Sequence, residues 1–133
     1  MLDLPVRSEL RCFSSKEVPQ VWHLFRENIQ RALDQGSDYT LADVYSLLTE
    51  KRAQLWTYER SAVVTSINHN MREKFCTIIA AGGHDMHKWL KYLPTLEEWA
   101  MSEGCETIRI YGRRGWSKLL GYDIDYTRMS KKL

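Results

Sequence analysis

The sequence has few of the features that indicate a disulfide scaffold, a zinc ribbon or a membrane span. Its three cysteines are an odd number and form no Cys-x-x-Cys pair, which argues against the first two. No apolar run approaches the roughly 18 residues of a membrane span, and the opening MLDLPVRSEL has no basic segment followed by an apolar one. We therefore expect a cytoplasmic protein, or one packaged from a cytoplasm, with reduced, buried thiols at Cys12, Cys76 and Cys105.

The composition that remains is typical of a globular domain. The chain has 133 residues, of which 44% are hydrophobic and 27% are charged, and it contains five Trp and seven Tyr. This length is enough to bury one core without metals or disulfides. No repeat, linker or low-complexity tract divides the sequence, so we predict a single domain over residues 1–133.

Charge is unevenly distributed along the chain. From Arg109 onward there are seven basic and two acidic residues, so this end carries +5 while the rest carries −3 of the total +2. Such a patch suits the phosphates of a nucleotide cofactor, a nucleic acid or an acidic protein surface, since Coulomb attraction does not choose among them. A solvated basic tail is the alternative interpretation.

The first third of the sequence predicts two amphipathic helices. Ser14 and Ser15 offer N-cap hydroxyls and Pro19 fits a first turn, so a helix should begin near Lys16 and end at Gly36. A second helix should follow over 40–51, because Thr40 and Asp43 form a capping box with a shorter acid than usual.

The remainder alternates strands and helices. We predict an antiparallel meander of strands over 53–58, 61–68 and 74–81, the last stopping at a glycine pair. A helix over 84–103 should kink or restart at Pro94, with Thr95 and Glu98 as a second cap. A strand over 105–111, a short helix over 114–120 and a strand over 122–129 complete an α+β fold, with a mixed, mostly antiparallel sheet flanked by helices.

This order of elements resembles that of the GNAT (GCN5-related N-acyltransferase) superfamily. The most specific part is the run GCETIRIYGRRGWSKLLGYDIDY from Gly104, with Gly121 and Tyr122 standing where that family has a Gly-aromatic pair. The segment YGRRGWSKLLGY is also similar to small GNAT-like proteins of tailed bacteriophages. The resemblance implies an acyl-CoA site built from the fourth strand, the helix after it, the fifth strand and the fourth helix.

Two positions depart from the pattern of an active transferase in that family. The pyrophosphate loop, Q/R-x-x-G-x-G/A in the family, reads AAGGHDMHK here, and Asp85 would repel phosphate. Gly82, Gly83, Arg113 and Arg114 are the residues that would hold the cofactor if acyl-CoA binds. The place of the tyrosine that protonates the leaving thiolate falls on Ser117, a poor acid, with Tyr122 or Tyr126 as substitutes.

No motif distinguishes a general base. By position the candidates are Glu59, His69, Glu73 and His84, each of which also reads as an exposed loop residue. His84 and His87 have helical spacing for a metal, but a third ligand is not evident, so we predict no metal site.

The departures at the pyrophosphate loop and at the tyrosine position favour a GNAT-like scaffold without catalytic activity. Such a protein would serve as a phage virion or binding component that contacts other protein chains. The alternative is an acetyl-CoA-dependent N-acyltransferase acting on an amine. A third hypothesis is nucleic-acid binding through a basic set with Trp116 or Tyr126 stacking on bases. That basic set comprises Arg113, Arg114, Lys118, Arg128, Lys131 and Lys132.

Overall fold

The computed structural model describes residues 9–35, 37–83, 86–110, 120–123 and 130–133. Its strands form one sheet in the order β1-β2-β3-β4-β5, with antiparallel neighbours except for the parallel pair β4 and β5. The mixed, mostly antiparallel α+β fold expected from the sequence is confirmed. The strands are β1 Arg11–Phe13, β2 Gln54–Tyr58, β3 Ser61–His69, β4 Lys74–Gly83 and β5 Thr107–Ile110, and the helices are α1 Val18–Leu33, α2 Leu41–Thr49, a 3₁₀ helix Met86–Tyr92 and α3 Leu93–Ser102.

Local hydrogen bonds define where the first two helices begin. The capping box at α2 is confirmed: Asp43 donates its backbone N–H to Thr40 Oγ1 (3.1 Å), and Thr40 donates its own to the Asp43 carboxylate (2.9 Å). Ser14 and Glu17 exchange the same pair of bonds one turn before α1. The helix itself begins only at Val18, with Pro19 in its first turn.

The antiparallel meander is confirmed, with one feature that the sequence pattern does not indicate. Val64 pairs with Ala80 and Thr65 pairs with Ile78, so Ile79 is an extra residue in β4. This bulge turns both Ile79 and Ala80 toward the core on the α1 side of the sheet. It follows directly after Ile78, the last residue of β4 whose pairing with β5 is described.

The predicted break at Pro94 is confirmed, but its form differs from the expectation. Residues 86–92 form a 3₁₀ helix and α3 starts at Leu93, with Pro94 in the first turn, where a missing N–H costs nothing. The expected cap at Thr95 and Glu98 is wrong, because both residues lie inside α3 and the residue before the helix, Tyr92, makes no side-chain cap.

The two faces of the sheet are covered by different elements. Helices α1 and α2 pack on one face over an apolar, mostly aliphatic core that includes Phe25, Ile29 and Leu48. The 3₁₀ helix and α3 contribute to the other face, over an aromatic cluster containing Trp56, Tyr58 and Trp89. Across the described residues, none of the helices has the length and apolar character needed to cross a membrane.

Several predicted details need correction. Cys76 and Cys105 are buried free thiols, as expected, but Cys12 is exposed because it lies on the short edge strand β1. The strand expected over 122–129 does not begin at Tyr122, since Tyr122 and Asp123 are not in a strand. The other residues of that segment, and residues 114–119 of the predicted short helix, lie outside the described residues.

Candidate functional site

Strand β4 extends beyond the described part of β5. Their parallel pairing is described as far as Ile78 and Ile110, and β4 continues to Gly83 in register with β3. The carboxyl end of β4, residues 79–83, is where the resemblance predicts an acyl-CoA chain.

Gly82 and Gly83 are the last two residues of β4, where they pair with Ala62 and Ser61. Their packing explains why they are glycines: a Cβ on Gly82 would overlap the Asn28 carbonyl oxygen of α1, and one on Gly83 would lie 2.5 Å from Ser61 Cα. Gly83 also has φ +136°, which L side chains rarely adopt. Adjacent residues of a strand direct their N–H groups to opposite edges, so these two amides do not converge on one anion.

The segment after β4 is held against the β2–β3 turn by its side chains. Trp89 is 6% exposed, and its indole Nε1 donates to Ser61 Oγ (2.5 Å), which donates in turn to the Tyr58 carbonyl oxygen (2.6 Å). Lys88 forms an ion pair with Glu59 (3.5 Å). The 3₁₀ helix thus packs directly on residues 58–61.

Glu59, a sequence candidate for a general base, is the first residue of the two-residue turn between β2 and β3. It has φ +51° and its carboxylate faces Lys88 at the surface. The geometry therefore gives Glu59 a local ion pair with Lys88.

A cationic side chain also lies on the aromatic rings of this region. Lys91 Nζ donates to the Tyr58 hydroxyl (3.1 Å) and stands 4.8 Å and 5.2 Å from the ring centroids of Tyr58 and Tyr92. The hydrogen bond to Tyr58 raises the pKa of Lys91, so this amine stays protonated. A protonated amine is not a nucleophile.

Tyr122, the candidate substitute acid, lies against α3. Its hydroxyl donates to Glu97 Oε2 (3.0 Å), and burial, followed by this contact with Glu97, raises the pKa of the phenol. A raised pKa makes the phenol a weaker acid, so this environment does not activate Tyr122 to protonate a thiolate. The other candidates, His84, Ser117, Arg113 and Arg114, lie outside the described residues.

Two further base candidates lie at the far end of the sheet. His69 ends β3, and Glu73 precedes β4. The Glu73 carboxylate pairs with Arg109 and accepts a hydrogen bond from Thr107 (3.3 Å), both on β5. Glu73 therefore connects to β5 at the amino end of β4, opposite Gly82 and Gly83. No group of three potential metal ligands occurs among the residues that the structure describes.

Sequence reasoning did not identify Ser61, Trp89 or Lys91, the side chains that hold the 3₁₀ helix. By spacing, Trp89 belongs to an apolar helical pattern and has no distinguishing feature. No local signal pairs it with Ser61, which lies 28 positions earlier in the chain. A buried tryptophan usually needs a hydrogen-bond partner for its N–H, and β3 begins with a serine. In the sequence, this is the signal that could have suggested the pair.

Comparison with known proteins rests on structure, because neither a family model nor a curated protein matches the sequence. An aminoglycoside acetyltransferase from an uncultured soil metagenomic sample superposes with TM-score 0.63 at 9% identity, covering 94% of this chain and 95% of that one. A GNAT family acetyltransferase of Staphylococcus aureus gives 0.58 at 15% identity, covering 94% and 98%. The ribosomal-protein-alanine N-acetyltransferase of Brucella melitensis gives 0.60 at 9% identity, again covering 94% and 98%.

These similarities extend over nearly the whole length of both chains while the identities stay below the level that carries an activity across. The chain has the fold of the GNAT acetyltransferases.

Proposed function

We propose that this protein is a GNAT-fold component without acyltransferase activity, which serves as a binding or structural protein of a tailed bacteriophage. The observation that carries the first part is the element after β4. A seven-residue 3₁₀ helix over Met86–Tyr92 separates the strand from α3, which begins ten residues after Gly83.

This observation bears on cofactor binding through the helix dipole. An anion binds at a helix N-terminus because aligned peptide dipoles and free N–H groups converge there. A short 3₁₀ helix aligns few dipoles with poorer hydrogen-bond geometry than an α-helix. The α-helix that follows this 3₁₀ helix starts at Leu93, and Pro94 in its first turn removes one of the N–H groups.

The described residues therefore match acetyl-CoA only in part. The carboxyl end of β4 carries two adjacent glycines, but Gly82 and Gly83 are both strand residues, and their amides point to opposite edges of β4. Trp89 and Lys88 hold the following segment against the turn at residues 58–61. We derive no catalytic step through acetyl-CoA for this site.

The phage assignment is supported by the sequence YGRRGWSKLLGY, which resembles small GNAT-like phage proteins. Other protein chains, including virion proteins, are the partners that this proposal implies. Negative-stain microscopy and mass spectrometry of particles purified from cells expressing the parent genome would test it. Detection of the chain in intact particles at stoichiometric amounts is expected, and its absence from them would contradict a virion role.

Calorimetric titration with acetyl-CoA tests the loss of the cofactor site. We expect no heat of binding at millimolar ligand, and desulfo-CoA should behave the same, since it shares the pyrophosphate. Micromolar binding of either ligand would overturn the proposal. Tryptophan fluorescence in the same samples verifies that the protein is folded.

One observation favours the alternative, an acetyl-CoA-dependent N-acyltransferase acting on an amine. The bulge at Ile79 interrupts the regular pairing of β4 with β3 in the part of β4 beside which the resemblance places the acyl chain. If acetyl-CoA binds, release of free thiol should be measured across a panel of amines. Thiol release that depends on the amine would support the transferase, and binding without release would leave a cofactor-binding scaffold.

A further inference from the structure

The contacts of Lys91 describe a binding site for a cation. Its ammonium group lies over two tyrosine rings whose centroids are 4.9 Å apart with an interplanar angle of 61°, and it donates a hydrogen bond to one of the hydroxyls. Proteins recognise a positively charged ammonium group by the π-faces of aromatic rings and by hydrogen-bond acceptors, and both are present here.

The rings are fixed in place before any ligand arrives. Tyr58 is 5% exposed, and Trp89 meets both tyrosines edge-on at 6.4 Å and 6.2 Å. The indole is itself held by its hydrogen bond to Ser61. A site whose walls are already ordered loses little entropy on binding.

Access and charge also suit a soluble cation. Lys91 is exposed, so its ammonium group reaches the rings from the solvent side. The carboxylate of Glu59, in the adjacent turn, adds a favourable interaction with a positive charge here, although it is also paired with Lys88.

We propose that the surface between Tyr58 and Tyr92 is a recognition site for primary alkylammonium groups, which the chain's own Lys91 occupies in this structure. The tethered lysine competes with any external amine at an effective concentration on the order of millimolar or higher. An external ligand gains the site only when Lys91 leaves it. This inference concerns binding alone and is independent of the proposed function.

The test removes the tethered occupant and supplies a free one. We expect Lys91→Ala to bind n-propylammonium, a fragment of the lysine side chain, at least about fivefold more tightly than wild type. The signals to follow are the NMR resonances of the Trp89 indole and the Tyr58 and Tyr92 rings. Lys16→Ala is the matched control, since it removes an exposed lysine that precedes α1 and leaves the Lys88–Glu59 ion pair intact.

Neutral and non-donating probes separate the contributions. 1-Propanol fills the same space without charge and should not bind Lys91→Ala. Adding Tyr58→Phe to Lys91→Ala removes the hydroxyl acceptor and keeps the ring. It should therefore weaken the binding of n-propylammonium and leave the binding of tetramethylammonium unchanged. Equal binding to wild type and Lys91→Ala, equal binding of 1-propanol, or no amine binding to a folded Lys91→Ala protein would each overturn the proposal.

A third arm identifies the source of the amine. A peptide with one central lysine and blocked ends presents the same group on a protein chain. Binding of this peptide to Lys91→Ala at an affinity similar to n-propylammonium would support a protein lysine as ligand, and binding of n-propylammonium alone would support a free small amine.

Discussion

The cores on the two faces of the sheet differ in chemistry. The difference separates the face that contributes most to the free energy of folding from the face on which the functional site would lie. On the α1–α2 face, the fully buried side chains are mainly aliphatic or Phe, as in Phe25, Ile29 and Leu48. On the opposite face the core is aromatic and hydrogen-bonded: Trp56 donates to Thr65 (2.9 Å) and Trp89 to Ser61 (2.5 Å).

Apolar packing of the first kind is non-directional and contributes free energy of folding in proportion to the area buried. Indole hydrogen bonds of the second kind are directional, so they fix one arrangement of the segment that carries them. In the GNAT fold that segment follows the fourth strand, where an acyl-CoA site would be completed. Our proposal is that the second face has a fixed aromatic arrangement in place of the anion-binding helix start of a transferase.

The largest effect should come from the aliphatic face. Phe25→Ala leaves a cavity under α1 and should lower the free energy of unfolding by about 3–5 kcal/mol. Urea denaturation measures it. Leu24→Ala, at a position that is 44% exposed, is the neighbouring control and should change it by less than about 0.5 kcal/mol. Similar losses for both would mean that α1 does not pack as described.

A smaller loss should follow Gly82→Ala, where α1 meets β4. The added methyl overlaps the Asn28 carbonyl oxygen, which belongs to the backbone and cannot rotate away. We expect a loss of about 1–3 kcal/mol from the forced shift, measured by thermal or urea unfolding. A variant as stable as wild type would show that Gly82 is not required by packing, which would make a ligand the better reason for the glycine.

On the aromatic face, Trp89→Phe keeps the ring and removes the donor to Ser61. The expected cost is about 1 kcal/mol in unfolding free energy, in addition to any change in packing. Combining it with Ser61→Ala isolates the bond, because a double-mutant cycle subtracts the two separate packing terms. A coupling energy near zero would contradict the directional role assigned to this hydrogen bond.

The smallest effect contrasts two helix starts. Thr40→Ala removes a capping box and should cost about 1 kcal/mol, whereas Thr95→Ala, inside α3, should be nearly neutral. Equilibrium unfolding of the two variants side by side measures both. A cost at Thr95 equal to that at Thr40 would restore the cap that the sequence predicted there.

Local features of the fold can be predicted from the sequence. Some features depend only on neighbours within a few positions, so the residue types predict them. They are the capping box at Thr40, the hairpin turn at Glu59 and Arg60, and the break at Pro94. The order of elements and the α+β class follow from such local signals.

What the sequence does not reveal depends on distant partners. The bulge at Ile79 arises from pairing with β3, and the role of Gly82 arises from the approach of Asn28, 54 positions earlier. The 3₁₀ form of residues 86–92 coincides with side-chain contacts to the β2–β3 turn, and an apolar stripe with helical spacing does not distinguish it from an α-helix.

We propose that the segment after β4 stays fixed on residues 58–61 and forms no cofactor cradle. Amide hydrogen exchange of residues 86–92, with and without millimolar acetyl-CoA, is the decisive experiment, because a ligand held by these amides changes their protection. We expect identical exchange in both samples. Increased protection of this segment in the presence of acetyl-CoA would overturn the proposal.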